Sequence, residues 1–150
     1  MITIQTCRAA DLPPWAADQM SGLTKPGSIN SRWLSSIAAG SPAGDIPHDL
    51  VFAFASRDED YEISVIGWGS LACWNGHPVL EGFVAPDERG KGLAFSMACC
   101  LCLTQPVPRQ LVGVFSPEYE SIARRLSFQA VQQYKRVDDG WLVVGGGTDG

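Results

Sequence analysis

Residues 2–7, Ile-Thr-Ile-Gln-Thr-Cys, alternate apolar and polar positions, the period of a strand with one buried face. The pattern then lengthens. Residues 9–20 read as a helix, with Asp11 as its N-cap, Pro13-Pro14 at its first turn, and Trp15 and Met20 as apolar members. After a loop over 22–28, Trp33, Leu34 and Ile37 recur at helical spacing and predict a second helix over 31–39. The proline- and glycine-bearing stretch 40–48 is a connection. Residues 49–56 are dense in Val, Phe, Ala and Leu and predict a strand, turned by Arg57-Asp58-Glu59-Asp60 into a long strand over 62–73. Gly67 and Gly69 inside that strand predict a bulge or a close approach. Asn75-Gly76 is a hairpin signal leading to a buried strand over 79–84. A basic turn over 86–92 follows, then a helix over 92–104 with Leu93, Ala94, Met97, Ala98 and Leu101 on one face and cysteines on the others. That helix is apolar nearly all round and is expected to be buried. A strand over 111–115, a helix over 116–126 opened by Ser116 and Pro117, and a hairpin over 129–136 and 141–144 complete the order. Residues 145–150 read as a flexible tail.

Composition adds little that contradicts this. The chain has 150 residues, enough for one domain spanning 1–150 with a real core, and 45% hydrophobic with 18% charged residues is a globular balance. No apolar run reaches the ~20 residues that span a bilayer, and Met1 leads straight into a strand, so neither a membrane segment nor a signal peptide is expected. Five cysteines, an odd count with three of them crowded into one apolar helix, predict reduced, buried thiols of a cytoplasmic protein, not a disulfide frame or a metal site. His48 and His77 stand apart without ligand spacing. The net charge of −5 argues against nucleic acid as a partner. It is uneven: residues 1–80 hold four basic and eight acidic side chains, residues 81–150 seven and eight.

The densest chemical signal is the turn between the buried strand and the apolar helix. Arg89, Gly90, Lys91 and Gly92 place two glycines and two cations at a helix N-terminus, where the first amides lack intrahelical acceptors and the dipole favours an anion. This is a phosphate cradle. It is not a P-loop, because Gly92 follows Lys91 where Ser or Thr is needed, and it lacks the third small residue of a dinucleotide fingerprint.

Residues 84–94, Val-x-Pro-x-x-Arg-Gly-Lys-Gly-Leu-Ala, resemble the acyl-CoA pyrophosphate loop of the GNAT N-acetyltransferase superfamily, whose core pattern is Gln/Arg-x-x-Gly-x-Gly/Ala; Arg89, Gly92 and Ala94 fill it. The element order agrees with that family over most of the chain. The resemblance implies an α/β (α+β) domain with a mixed, twisted sheet of about seven strands flanked by about four helices. It implies acetyl-CoA as acyl donor and an amine-bearing acceptor, joined by direct attack in a ternary complex. Cofactor contacts fall on Gly82, Phe83 and Val84 of the central strand, on Arg89, Gly90, Lys91, Gly92, Leu93 and Ala94 of the loop, and on Ser116 at the start of the last helix. Such domains often dimerise through their last strands, here 141–144.

The catalytic groups are less regular. Leu126-Ser127-Phe128 matches the family's Leu-Gly-Phe, which puts Ala123 where a tyrosine usually serves as the thiolate's acid; Tyr119, one turn earlier, is the substitute. Glu81 is the only acidic residue in the central strand and is the candidate base, although the family's more familiar base position falls on Leu80, on the opposite face. Leu111 occupies another place where relatives carry Glu. The acceptor is expected against the first two helices and the hairpin over 57–62, with Trp15, Trp33 and Trp74 as candidate lining and at least two of them core. Two readings follow: an N-acetyltransferase, or a non-catalytic acyl-CoA-binding module of the same fold.

Overall fold

A computed structural model describes residues 1–24, 28, 30–74, 77–104, 112–115, 120–126, 129–130, 133–137 and 140–144 of the chain, the side chains of Trp74, His77, Glu120, Ala123 and the strands after residue 111 excepted. Its body is four antiparallel strands, β1 (Ile2–Arg8), β2 (Val51–Glu59), β3 (Glu62–Trp74) and β4 (His77–Val84), paired in that order. Between β1 and β2 lie two short helices, α1 (Pro14–Ser21) and α2 (Leu34–Ala38). After β4 come α3 (Leu93–Thr104), β5 (Val112–Phe115), α4 (Glu120–Arg125) and β6 (Gln129–Ala130). β5 and β6 extend the sheet in parallel, so it has six strands. The last two strands, β7 (Gln133–Val137) and β8 (Gly140–Val144), pair with each other as a separate two-stranded sheet. The expected seven-stranded sheet is therefore smaller among the described residues: the strand expected over 129–136 divides into β6, on the main sheet, and β7, which pairs with β8 instead.

Both faces of the sheet are covered. On one, Ala53, Ile66, Leu71, Leu80 and Val84 pack against Leu93, Met97, Ala98 and Leu101 of α3. On the other, Phe52, Phe54, Val65, Trp68 and Ala72 pack against Ala16, Ala17 and Met20 of α1 and Leu34 and Ile37 of α2. This is why residues 51–55 read as a continuous apolar run: successive side chains alternate between two buried layers. The register slips once, between Ala55 and Ser56, so that Ile66 is the extra residue of a bulge. Ile66 and Gly67 then both face α3. A Cβ at Gly67 would lie 3.3 Å from Met97 Cε and from the Phe83 carbonyl, which explains the glycine as a close approach.

Several local expectations shift. Asp11 closes a 3₁₀ turn, Ala9–Asp11, and caps nothing; the helix proper opens at Pro14, whose missing N–H costs nothing at that position. The second helix is a 3₁₀ turn, Asn30–Trp33, running into five α-helical residues. β2 continues through Arg57, Asp58 and Glu59, and the hairpin turns at Asp60 and Tyr61, both at positive φ. α3 buries one stripe only: Leu103 is 83% exposed, and Cys99, Cys100 and Cys102 are half-buried. Cys73 is exposed. The thiols are thus less buried than expected, because one helix face suffices to cover the sheet. Cys7 is half-buried, and burial, helped by Asp11, pushes its thiol up to about 11.

Candidate active site

Among the described residues, β4 is paired on one edge along its length and on the other only at Val79 and Leu80. Towards β5 the described pairs are Val79 with Val114 and Leu80 with Phe115. Beyond them no pairing to β5 is described for Glu81–Val84. The register with β3 decides which backbone groups reach that edge. Val84 sits opposite Gly67, and the Ala85 N–H donates to the Ile66 carbonyl at 2.8 Å. Val84 and Gly67 are therefore a non-hydrogen-bonded pair, as are Gly82 and Gly69, and the N–H and C=O groups of Gly82 and Val84 point away from β3. The open stretch of edge borders a cleft of about 640 Å³. Gly82, Phe83 and Val84 form one wall and Arg89, Gly90, Gly92, Leu93 and Ala94 the next. Phe95 of α3 and Ile122 and Arg125 of α4 complete it.

The turn leading to α3 has the geometry that anion binding requires. Gly90 and Gly92 lie at φ +83° and +79°, where an L side chain is strained. The space around both is open, with nothing within 4 Å of where a Cβ would sit. The Ser96 N–H bonds the Gly92 carbonyl at 3.0 Å, the first intrahelical bond of α3. The amides of Leu93, Ala94 and Phe95 are then the helix's orphan donors, at the positive end of its dipole.

The cations around this turn are already engaged. Lys91 Nζ lies 2.7 Å from Glu88 Oε2, and Arg57 Nη2 donates to both Glu88 oxygens at 2.8 Å. The Lys91 contact first, then Arg57, holds the Glu88 carboxyl below its ordinary value, and Glu88 in turn raises Arg57. Arg89 Nε donates to the Val84 carbonyl at 3.0 Å while its guanidinium lies over the Phe83 ring, 5.2 Å from the centroid. Arg89 thus occupies part of the open β4 edge. On the far wall Arg125 lies over the Phe95 ring at 3.8 Å.

Glu81 stands on the other face of β4 and does not line the cleft. It is 3% exposed. Its Oε1 accepts the Asn30 N–H at 2.5 Å and the Ser28 hydroxyl at 3.1 Å, while Asn30 Nδ2 donates to Ser70 Oγ at 3.0 Å. Ser70 is directly opposite Glu81 in the ladder. This polar cluster pins the segment before α2 to the sheet, as Trp68 does through its 2.7 Å bond to the Leu23 carbonyl. Trp33 is core, with Nε1 bonded to Asp45, whereas Trp15 is 44% exposed and edge-on to Phe54. Tyr119, Ser116 and Leu111 lie outside the described residues, as does the Ala123 side chain.

Sequence reasoning missed four contributors to this region. Arg57 and Glu88 belong to a network closed only by the fold, although Glu88 and Lys91 stand at i, i+3. Phe95 and Arg125 come together from different helices, and neither sits in a recognisable motif. Among the described residues no cluster of metal ligands occurs and no helix is long and apolar enough to cross a membrane.

No protein-family model and no curated protein matches the chain. Among solved structures it is similar to yncA from Salmonella typhimurium, a candidate acetyltransferase with its cofactor acetyl-CoA, at 16% identity and a TM-score of 0.38. That alignment covers 86% of this chain and 66% of the other, so this chain spans just under two thirds of that protein's length. It is also similar to a ribosomal-protein-alanine N-acetyltransferase from Brucella melitensis biovar Abortus 2308, at 18% identity and a TM-score of 0.42, over 84% of this chain and 87% of the other. These are distant likenesses, and the chain's own cleft supports the reading below.

Proposed function

We propose that the chain is an acetyl-CoA-dependent N-acetyltransferase acting on an amine. The observation behind this reading is the juxtaposition of the positive-φ glycine turn and the open edge of β4 on one cleft. The turn offers orphan amides and open space to a diphosphate. The Gly82 and Val84 backbone offers strand-like hydrogen bonds to an extended amide-bearing arm. When bound, acetyl-CoA supplies an activated thioester. The chain's residues hold it, orient it, and present an N–H of β4 to a carbonyl oxygen. Arg89 either keeps its bond to Val84 or releases it to join the phosphate site.

On the acceptor side we assign Glu81 as the base, acting from beneath the segment 28–30, and Tyr119 as the acid. The acceptor lies against α1, α2 and the β2–β3 hairpin. A homodimer through β8 and a cytoplasmic location belong to the same reading. The engagement of the Glu81 carboxylate by Ser28 and Asn30 favours a second reading, a module of this fold that binds acyl-CoA without turnover.

The test is a melting curve with and without acetyl-CoA at about a hundred times Kd, for the wild type and Gly92→Asp. Ligand linkage at that excess stabilises by about 2.7 kcal/mol, a shift of roughly 5–10 °C for this size. A shift in the wild type that is absent from a folded Gly92→Asp protein supports the site. Equal shifts, or none, refute it. Thiol release with an amine panel then separates enzyme from binder.

A further inference from the structure

We propose that Arg125, held over the Phe95 ring, receives a second phosphate of the ligand, a terminal phosphomonoester distinct from the diphosphate assigned to the glycine turn. This inference rests on the acyl-CoA reading above and adds what that reading leaves open, the recognition of the cofactor's far end.

The argument starts from how the cleft's charges are spent. Lys91 and Arg57 are answered by Glu88, and Arg89 gives its Nε to the Val84 carbonyl. Arg125 lines the same cleft, and among the described residues no carboxylate pairs with it. Its contact is with a ring, at 3.8 Å from the Phe95 centroid. A central carbon that close to the ring centre fits contact through the face of the guanidinium, since an edge-on group would drive its nitrogens into the ring. All five N–H donors lie in the plane, at the edge, where a stacked arginine presents them to a planar or tetrahedral oxyanion. Stacking also fixes the group's orientation, so less freedom is lost when a phosphate is bound in bidentate fashion.

Placement completes the case. Phe95 is in the first turn of α3, whose amides face the diphosphate site, and Arg125 is in the last turn of α4. The cation–π contact therefore carries Arg125 to the edge of the proposed α3 anion site. A ligand with two separate phosphate groups would bridge the two helices. Coenzyme A has this chemistry: a diphosphate and, on the ribose, a phosphomonoester that is mostly doubly charged near neutral pH. In a chain of net charge −5, such a group needs a dedicated cation.

Calorimetric titration of the full chain with CoA and with 3′-dephospho-CoA tests this, in the wild type, Arg125→Gln and Arg125→Lys. The wild type is expected to prefer CoA by about tenfold or more, the range of one charge-assisted bidentate contact. Arg125→Gln should lose that preference while keeping its dephospho-CoA affinity, which also shows that the variant is folded. Arg125→Lys should keep part of it. An undiminished preference in Arg125→Gln, or no preference in a wild type that binds CoA, overturns this proposal and leaves the cofactor reading standing. A wild type that binds neither ligand overturns both.

Discussion

Glu81 shows how much one buried carboxylate can hold. Its Oε1 takes a backbone N–H and a hydroxyl from a segment more than fifty residues away in sequence. Replacing it with alanine leaves the buried Asn30 N–H without its acceptor, a loss on the order of 1–3 kcal/mol. Glu81→Gln retains an acceptor oxygen and should cost less; urea denaturation of both variants measures the difference. The same pair addresses the proposed base. If Glu81 removes the amine proton, Glu81→Gln lowers kcat by roughly 10²–10⁴-fold and flattens the acid limb of the pH–rate profile. A glutamine variant that turns over at the wild-type rate would leave Glu81 as an anchor only. The residue's presence in the central strand is plain in the sequence. Its burial beneath Ser28 and Asn30 is not, since nothing local links those positions.

At the scale of elements, β3 and α3 meet through a glycine. The bulge that turns Ile66 and Gly67 towards the same layer leaves a Cβ there tightly packed: Met97 Cε and the Phe83 carbonyl both lie 3.3 Å from a built Cβ. A side chain there presses on backbone as well as on a flexible methionine. Gly67→Val is expected to destabilise by about 1–3 kcal/mol in urea, the cost of overpacking. It should also weaken the proposed acetyl-CoA binding, because α3 carries the proposed anion site on its first turn. An unchanged midpoint would mean that α3 rides out without penalty. The two glycines inside an apolar run announced this bulge or close approach in advance. The lengths of α1 and α2 were less legible: 3₁₀ turns at Ala9–Asp11 and Asn30–Trp33 have the same apolar spacing over so few residues as a continuous helix.

For the whole molecule, the Arg57–Glu88–Lys91 network ties the end of β2 to the turn that opens α3. Glu88's carboxyl is lowered in the folded state by Lys91 and Arg57. Its contribution to stability is therefore present above its unfolded value of 4.5 and is lost as pH falls through the lower, folded value. Acid titration of Tm should show a descending limb below about pH 4.5 that is shallower in Glu88→Gln. A limb of equal steepness in the variant would place the acid sensitivity elsewhere. Because Lys91 is exposed and Arg57 and Glu88 are only half-buried, salt should weaken the network as well.

The sequence by itself determined the order of elements from β1 to α3 and the glycine turn before an apolar helix, since period, turn chemistry and the steric freedom of glycine act over a few residues; it did not show that residues 129–136 divide between β6 and β7. It also determined which faces are apolar. Only the tertiary structure decided that Lys91 is spent on Glu88, that Glu81 faces away from the cleft, that β7 and β8 pair with each other, and that Phe95 and Arg125 meet. Each of these depends on distances between residues remote in sequence, and those distances are set by how two layers of side chains pack on one sheet.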